Sequence, residues 1–227
     1  MSAYLNCLRI LSNCRIMVRY NTNFLCVSVM ALGILFVAFV IYYRKTVEGN
    51  ATSRVYLVGD SIFDNGMYVP KGEDVYSYIK KKNSRAIMVA RDNSTIQDVY
   101  RQLDRIHATD NDTIFISIGG NDILNNIMTM DEMMIKYREM LSRVEKGKIF
   151  LCDVYYPPQM KHLYPIIKKW NAFIHSFRGR YGIKKISNTI TLPEHFTSII
   201  EPSHIGSKII AETICPGETC NPNAHQE

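Results

Sequence analysis

The chain has 227 residues, a formal net charge of +6 and a hydrophobic fraction of 47%. Its length provides for one ordinary globular domain with additional segments. The basic residues are scattered, and no arginine-rich arm, zinc-finger spacing or aromatic RNA-binding motif is present, which argues against nucleic acid as a partner. The cysteines and histidines lack ligand spacing, so no metal site is expected.

An uncharged apolar stretch occupies residues 24–43 and ends in two tyrosines. About 20 such residues match the thickness of a bilayer core, and aromatic side chains are typical of the membrane interface. A cleaved signal peptide would have a shorter apolar region and a small-x-small cleavage site, but two basic residues follow the tyrosines here. We therefore expect one uncleaved transmembrane helix over 24–43, between a tail over 1–23 and a linker over 44–53.

The side of the membrane on which the rest of the chain lies is predicted from charges and sequons. Basic residues flank the apolar stretch in nearly equal number, so their distribution does not fix the orientation. N-x-[ST] triplets begin at Asn50, Asn93 and Asn111, and Asn50 and Asn111 are the candidate glycan acceptors. We expect a short cytosolic tail and a domain that is lumenal or extracellular.

Short apolar runs alternate with amphipathic helical patterns over residues 54–214, which we expect to form the folded domain. Such alternation predicts an α/β fold with three α/β/α layers, in which helices cover both faces of a parallel sheet. In chain order, the sequence predicts strands over 55–58 and 85–90, a helix over 95–106, a strand over 113–118, a helix over 131–144, a strand over 148–154, a helix over 162–181, a strand over 183–186 and a helix over 203–213.

Three cysteines lie beyond the apolar stretch. Cys152 belongs to an apolar predicted strand and is expected to be a buried thiol. Cys215 and Cys220 lie in the carboxyl-terminal tail over 215–227 and bracket Pro-Gly-Glu-Thr. In an oxidising compartment, a pair at this spacing can close a small disulfide loop.

A possible catalytic serine follows the first predicted strand. Gly59 breaks the apolar run, and Asp60 and Ser61 come directly after it. In an open parallel sheet, ligands bind at the carboxyl ends of the strands, so a serine in a tight turn there can present its hydroxyl to a substrate. The alternative is that Asp60 and Ser61 only cap the next helix.

Two downstream stretches favour the catalytic interpretation. Gly119-Gly120-Asn121-Asp122 follows the strand predicted over 113–118, which places it at the same edge of the sheet. Glu201-Pro202-Ser203-His204 directly precedes the last predicted helix. A chain that folds back over that edge brings all three stretches together.

These residue types supply the parts of nucleophilic catalysis. A serine hydroxyl needs a base to take its proton, and His204 is the candidate base. Glu201, three residues earlier, can hold the imidazole and stabilise its charged form. Asn121 offers an amide donor to a developing oxyanion. His107 and His195 are spare candidates for the base, but neither lies in a comparable context.

Together, these three stretches resemble sequence blocks of the GDSL, or SGNH, hydrolase superfamily over about residues 54–214. The resemblance implies a flavodoxin-like sheet, esterase or lipase chemistry on an ester substrate, and no cofactor. It also implies a catalytic set of Ser61 as nucleophile with His204 and Glu201. The implied oxyanion hole comprises Ser61, Asn93 and Asn121, with Gly59, Asp60 and Gly120 in supporting positions.

Two positions depart from the family pattern. The last block usually reads Asp-x-x-His, and here the acid is Glu201, whose longer side chain would reach the imidazole differently. The second block usually supplies an oxyanion-hole glycine, and Asn93 takes that position when residues 93–96 are aligned with Gly-Ala-Thr-Thr. A backbone N–H survives this change, and asparagine tolerates left-handed backbone angles better than most residues. Relatives with the same opening segment can also lack the histidine of the last block.

Together with the predicted span over 24–43, the resemblance implies a membrane-anchored serine esterase that acts on acyl or acetyl esters of lipid or carbohydrate. The departures at Asn93 and Glu201 motivate a second hypothesis, a catalytically silent binding module on the same fold. A third hypothesis is an acyltransferase that moves acetyl groups between glycans. Labelling by a fluorophosphonate separates the first hypothesis from the second, and an added alcohol acceptor reveals the third.

Overall fold

The structure is a computed structural model that describes residues 32–40, 42, 53–217 and 220. The chain divides into two compact units, Met1–Ala51 and Thr52–Glu227. In the first unit, residues 32–40 and 42 are helical, and most of their apolar side chains are exposed. Among the described residues, no helix has both the length and the apolar character needed to cross a bilayer. Part of the predicted span over 24–43 lies outside the described residues, and Asn50 also lies outside them.

The second unit is built on a five-stranded sheet in which every pairing is parallel. The strand order is β2-β1-β3-β4-β5, which is the order of flavodoxin-like sheets. All residues of β1 are buried, as expected for a central strand that is covered on both faces. The strands are β1 (Val55–Gly59), β2 (Ala86–Met88), β3 (Thr113–Ser117), β4 (Lys148–Cys152) and β5 (Gly182–Lys184).

Helices connect successive strands, and several begin at polar caps. The side chains of Asp74, Thr129 and Ser203 each accept a backbone N–H from three residues ahead, which satisfies one of the free donors at a helix start. The described helices of this unit are α1 (Val75–Lys82), α2 (Ile96–Leu103), α3 (Gly120–Leu124), α4 (Met130–Ser142), α5 (Tyr164–His175) and α6 (His204–Ile214). Short 3₁₀ turns cover Lys161–Leu163, Ile186–Asn188 and Pro193–His195.

The sheet separates two apolar clusters. Tyr56 and Val58 of β1 pack into one cluster, whereas Val55 and Leu57 pack into the other, because neighbouring side chains of a strand point to opposite faces. The first cluster contains Trp170, which is fully buried. Packing on both faces confirms the predicted α/β/α layers.

Some elements differ from the prediction made from the sequence. The helix predicted over 162–181 ends at His175, and Gly182 begins β5 instead of ending a helix. A Cβ atom at position 182 would lie 2.3 Å from the ring of Phe150, so β5 can approach β4 only with glycine there. The sequence pattern does not predict α1, because only Val75 and Ile79 of that helix are buried.

The two expectations for cysteines in this unit are confirmed. Cys215 and Cys220 form a disulfide. Cys152 is a free and buried thiol, and burial raises its pKa. A buried thiol with a raised pKa is chemically inert, so Cys152 belongs to the core.

Candidate active site

The turn after β1 places Ser61 at the carboxyl edge of the sheet. Gly59 has a φ of 140°, and a Cβ atom there would lie 1.7 Å from the backbone oxygen of Ser117, so only glycine permits this approach to β3. The side chain of Gln102, on α2, accepts the N–H of Gly59 and donates to its oxygen, each at 2.8 Å. Sequence reasoning misses Gln102, whose only signal is a polar residue on the buried face of a helix.

Ser61 faces a buried carboxyl group. Its Oγ donates a hydrogen bond of 3.3 Å to Oε1 of Glu201, and both residues are 7% exposed. Asp60 caps the turn, since its Oδ1 accepts the N–H of Ile62. The predicted proximity of Ser61 and Glu201, which are 140 residues apart in sequence, is therefore present in the structure.

Glu201 lies on a loop that several contacts hold in place. The oxygen of Glu201 accepts the N–H of Thr197 at 2.9 Å, and its own N–H donates to Oγ of Ser198 at 3.2 Å. The hydroxyl of Tyr155, which follows β4, donates to the oxygen of Ile200 at 2.6 Å. These bonds orient the Glu201 side chain towards Ser61.

His204 does not lie between Ser61 and Glu201, and the predicted serine–histidine–glutamate relay is not the arrangement in the structure. Ser203 is the N-cap of α6, and its Oγ accepts the N–H of Gly206. His204 is consequently the first residue of the helix, and it is exposed. The change of direction at the cap separates Glu201, before the helix, from His204, on its outer surface.

The spare histidines do not line the Ser61 cavity either. His195 is buried, and its Nδ1 accepts the N–H groups of Thr191 and Leu192 at 3.1 and 3.2 Å. His107 is exposed.

Asn65 connects the loop after Ser61 to helix α6. Its side chain is fully buried, accepts the N–H of Val75 at 3.1 Å and donates to Oγ of Ser207 at 2.6 Å. These two bonds fix the start of α1 and the start of α6 relative to the turn that carries Ser61. Sequence reasoning misses this role, because an Asn-Gly pair after the serine is also typical of an ordinary turn.

Asn121 lies beside Ser61 in the same cavity. Its Nδ2 donates to the backbone oxygen of Ser94 at 3.0 Å, which fixes the amide and leaves its second N–H to bind another acceptor. The residue before α3, Gly119, has a φ of 110°, and a Cβ atom there would lie 2.7 Å from the ring of Trp170. Glycine at 119 therefore lets α3 begin close to the sheet and brings Gly120 and Asn121 to the cavity wall.

Asn93 is not part of the cavity wall. Its φ of 59° is left-handed, as its alignment with a glycine predicts. Its N–H, however, donates to Oδ1 of Asp92 at 2.8 Å, and the residue is exposed in a different cleft that also contains Arg91 and Arg101. The structure thus brings Asn121 to Ser61, but it does not bring the Asn93 donor there.

The cavity beside Ser61 has mostly apolar walls and an empty volume of about 480 Å³, including the part that is open to solvent. No Lys, Arg or His is among its described lining residues. Among the described residues, no cluster of His, Cys, Asp or Glu is suited to a metal ion. The lining residues are Asp60, Ser61, Ile62, Gly120, Asn121, Ile123, Leu124, Val154, Tyr155, Pro157, Leu163, Ile167, Ile200 and Glu201.

Three carboxyl groups in this region have raised pKa values because burial penalises their charged forms. The pKa of Asp60 rises to about 8, and the neighbouring charges of Glu201 and Asp122 add to the effect of burial. The pKa of Glu201 rises to about 7, although the hydrogen bond from Ser61 opposes the shift. The pKa of Asp122, which accepts the N–H of Ile96 at the start of α2, rises to about 6. Burial therefore favours the protonated forms of these carboxyl groups, most strongly that of Asp60.

Comparison with known proteins shows similarity in structure only. No protein-family model and no curated protein matches the sequence. A lipolytic protein of the G-D-S-L family from Veillonella parvula has a TM-score of 0.63 and 16% identity, over 72% of this chain and 96% of its own. An acetyl xylan esterase from Geobacillus stearothermophilus has a TM-score of 0.62 and 15% identity, over 76% and 97%. The catalytic domain of a Streptococcus pneumoniae peptidoglycan O-acetyltransferase has a TM-score of 0.54 and 15% identity, over 72% and 91%.

The resemblance inferred from the sequence is confirmed at the level of the fold. The sheet has the flavodoxin-like strand order that the resemblance implies. Ser61 follows β1 and Asn121 follows β3, as the sequence predicts. Together with these alignments, they show that the chain has the fold of the GDSL/SGNH hydrolases.

Proposed function

We propose that the chain is a serine hydrolase that cleaves carboxylic esters, with Ser61 as the nucleophile. The observation that carries the proposal is the hydrogen bond from Ser61 Oγ to a buried carboxyl group within an apolar cavity. A capping role does not explain this contact, because Asp60 already accepts the N–H of Ile62. The proposal rests on the site, since one fold can host many unrelated functions.

The reaction would proceed in two stages. Ser61 Oγ loses its proton and bonds to the carbonyl carbon, and the carbonyl oxygen becomes a negatively charged oxyanion. The carbon–oxygen bond to the leaving alcohol then breaks, which leaves an acyl group on Ser61. Water attacks this acyl group in the second stage and releases the acid. His204 has no part in the proposal, because it lies exposed at the start of α6.

The oxyanion would be stabilised by the side chain of Asn121. We expect Asn121→Ala to lower kcat by about 10²- to 10³-fold, the usual loss for one oxyanion donor. KM should change much less, because the developing charge appears mainly in the transition state. Steady-state kinetics on one ester measures both constants. The matched control is Asn125→Ala, at the exposed end of α3, and equal losses in the two variants would remove Asn121 from the oxyanion hole.

The apolar walls favour an acyl group over a charged one as the part of the substrate that enters the cavity. Isoleucines, leucines and Val154 make up half of the lining residues, and Glu201 in its ionised form would repel an anionic substrate. We propose acyl or acetyl esters of lipid or carbohydrate as substrates. Two of the structural neighbours are described as a lipolytic protein and an acetyl xylan esterase, which supports this range.

The test of the proposed function is a panel of esters combined with a fluorophosphonate probe. Turnover of a panel member and covalent labelling of Ser61, located by mass spectrometry, are the expected results. A folded chain that shows neither is a binding module on this fold. An acyltransferase is the second candidate function, favoured by the peptidoglycan O-acetyltransferase neighbour. Faster consumption of ester on adding a glycan acceptor, together with an acetylated glycan product, would identify that activity.

We also propose that residues 24–43 anchor the chain in a membrane as a single span, with the catalytic unit on the lumenal or extracellular side. The uncharged apolar character of that stretch and the exposure of Asn111, a candidate glycan acceptor, support the proposal. We expect the full chain to stay in the membrane pellet during alkaline carbonate extraction. Release into the supernatant, with an amino terminus after Tyr43, would instead identify a cleaved signal peptide.

A further inference from the structure

We infer that Glu201, and not His204, is the general base that takes the proton of Ser61. The inference rests on the proposed ester hydrolysis and specifies its proton acceptor. Ser61 Oγ donates directly to Glu201 Oε1 at 3.3 Å, with no imidazole between them. A general base must be within hydrogen-bond reach of the proton that it removes, and Glu201 meets this requirement in the structure.

The second carboxyl oxygen of Glu201 supports the same role. Oε2 is buried and has no hydrogen-bond partner among the described residues. A buried polar atom without a partner costs free energy, so a purely structural glutamate would be expected to bond through both oxygens. An acid–base role gives the second oxygen a use, because it can receive a proton or bind water or the leaving alcohol during turnover.

The loop around Glu201 has the rigidity that a catalytic group needs. Phe196 and Pro202 form an antiparallel bridge that closes the loop at its base. Inside the loop, Thr197 and Ser198 bond to the backbone of Glu201, and Tyr155 holds the preceding residue from outside. A loop held in this way fixes the backbone of Glu201 beside Ser61, so less conformational entropy is lost when the carboxyl group reacts.

The spacing of the family pattern can be matched in a second register. In Asp-x-x-His, the histidine is the residue that faces the nucleophile, and in this structure the residue that faces Ser61 is Glu201. Ser198 lies three residues before Glu201 and accepts its N–H, so Ser198 stands where the pattern has its acid. The last block therefore has glutamate in place of histidine, and His204 falls outside the pattern.

The electrostatic surroundings make Glu201 a stronger base than an exposed glutamate. Burial raises its pKa to about 7, near the range in which general bases work best at neutral pH. The titratable groups around it are the carboxyl groups of Asp60 and Asp92 and the phenols of Tyr68 and Tyr155. After burial, the charge of Asp92 also disfavours the ionised form of Glu201, and the described lining of the cavity contains no Lys, Arg or His to oppose it.

The proton moves in a closed cycle. The Oγ–H bond of Ser61 breaks as its oxygen bonds to the ester carbon, and the proton passes to the ionised carboxylate of Glu201. The protonated Glu201 then gives this proton to the leaving alcohol as the carbon–oxygen bond breaks. In the second stage, Glu201 takes a proton from the attacking water and returns it to Ser61 Oγ as the acyl bond breaks.

The test compares Glu201→Gln with His204→Ala in the full-length chain, using 4-nitrophenyl esters from acetyl to octanoyl. Glu201→Gln keeps the size of the side chain but cannot take a proton. We expect it to lower kcat by at least about 10²-fold, within the range for a positioned acid–base group. His204→Ala should stay within about threefold of the wild type, since it removes no group that contacts the reacting atoms. Glu194→Gln, on the exposed part of the same segment, is the matched control.

The pH profile separates a catalytic glutamate from a structural one. Glu201 acts as a base only when it is ionised, so wild-type activity should fall as the pH drops below about 7. His204→Ala and Glu194→Gln should keep this fall, and the residual activity of Glu201→Gln should lack it. Glu201→Asp retains a carboxyl group on a shorter side chain, so its activity should be lower than that of the wild type but should show the same fall with pH. It replaces Glu201→Gln as the test variant if the glutamine variant does not fold.

Two results would overturn the inference while leaving Ser61 as the nucleophile. One is a Glu201→Gln variant with the wild-type rate and pH profile. The other is a His204→Ala variant whose kcat falls by about 10²-fold or more, as expected for loss of a base. A wild-type chain that hydrolyses none of the esters and does not react with a fluorophosphonate would overturn the proposed function together with the inference.

Discussion

Replacing Ser61 with alanine is expected to abolish ester turnover and fluorophosphonate labelling while the fold stays intact. Loss of a nucleophile costs kcat on the order of 10⁶ in a well-studied serine hydrolase, so a loss of at least about 10³-fold is a conservative expectation here. The fold should survive because Ser61 Oγ makes a single long hydrogen bond, at 3.3 Å, and its removal should change the free energy of unfolding by only about 1 kcal/mol.

The measurement is kcat on the best ester of the panel, together with thermal unfolding of each variant. Ser142→Ala is a suitable control, since it removes an exposed hydroxyl at the end of α4 that donates to the backbone oxygen of Glu139. If Ser61 merely supported the turn, alanine would lower the unfolding temperature and leave the activity per folded molecule unchanged. That result would favour the alternative interpretation of the sequence, in which Ser61 has only a capping role.

The parts of the site that follow from the sequence are those that depend on local structure. An apolar run that ends in Gly-Asp-Ser predicts a strand and a turn, and a second run that ends in Gly-Gly-Asn predicts the same edge of a parallel sheet. Ser61 and Asn121 accordingly lie in one cavity. Burial and strand pairing fix these positions with little dependence on the rest of the chain.

The parts that the sequence does not reveal depend on contacts between distant segments. Both Glu201 and His204 are chemically suitable partners for a serine, and only the position of the Ser203 cap decides which of them faces Ser61. The buried hydrogen bonds of Asn65 and Gln102 produce no local sequence pattern, because their partners lie on other elements. When the sequence is considered alone, these two polar residues look like ordinary turn or helix residues.

At Asn93, too, the sequence predicts only part of what the structure shows. The alignment with a glycine predicts left-handed backbone angles, and the φ of 59° agrees with that prediction. The direction of its N–H depends on the neighbouring side chain, because Asp92 accepts this hydrogen. Asp92 is itself oriented by Tyr68, whose hydroxyl donates to it at 2.9 Å. A backbone conformation could thus be predicted from residue type, but the hydrogen bond that the backbone makes could not.

The largest loss of stability is expected from Gly59→Ala. A Cβ atom at this position would lie 1.7 Å from the backbone oxygen of Ser117, on the strand that pairs with β1, and the φ of 140° is rarely adopted by other residues. Relief of this clash would separate β1 from β3 and break the two bonds that Gln102 makes to Gly59. Combined strain and lost hydrogen bonding should lower the free energy of unfolding by more than about 4 kcal/mol, the range of exceptional single substitutions.

Thermal unfolding of the full chain measures this effect, and a fall in Tm of roughly 10 °C or more is expected for a unit of this size. Gly66→Ala is the matched control, because its Cβ atom would meet only Asp74, at 4.0 Å, and its φ is not left-handed. That variant should unfold within a few degrees of the wild type. The activity of any folded Gly59→Ala should also fall, since the turn that Gly59 starts carries Ser61. A Gly59→Ala variant as stable as Gly66→Ala would show that β1 and β3 do not need this close approach to hold the serine in place.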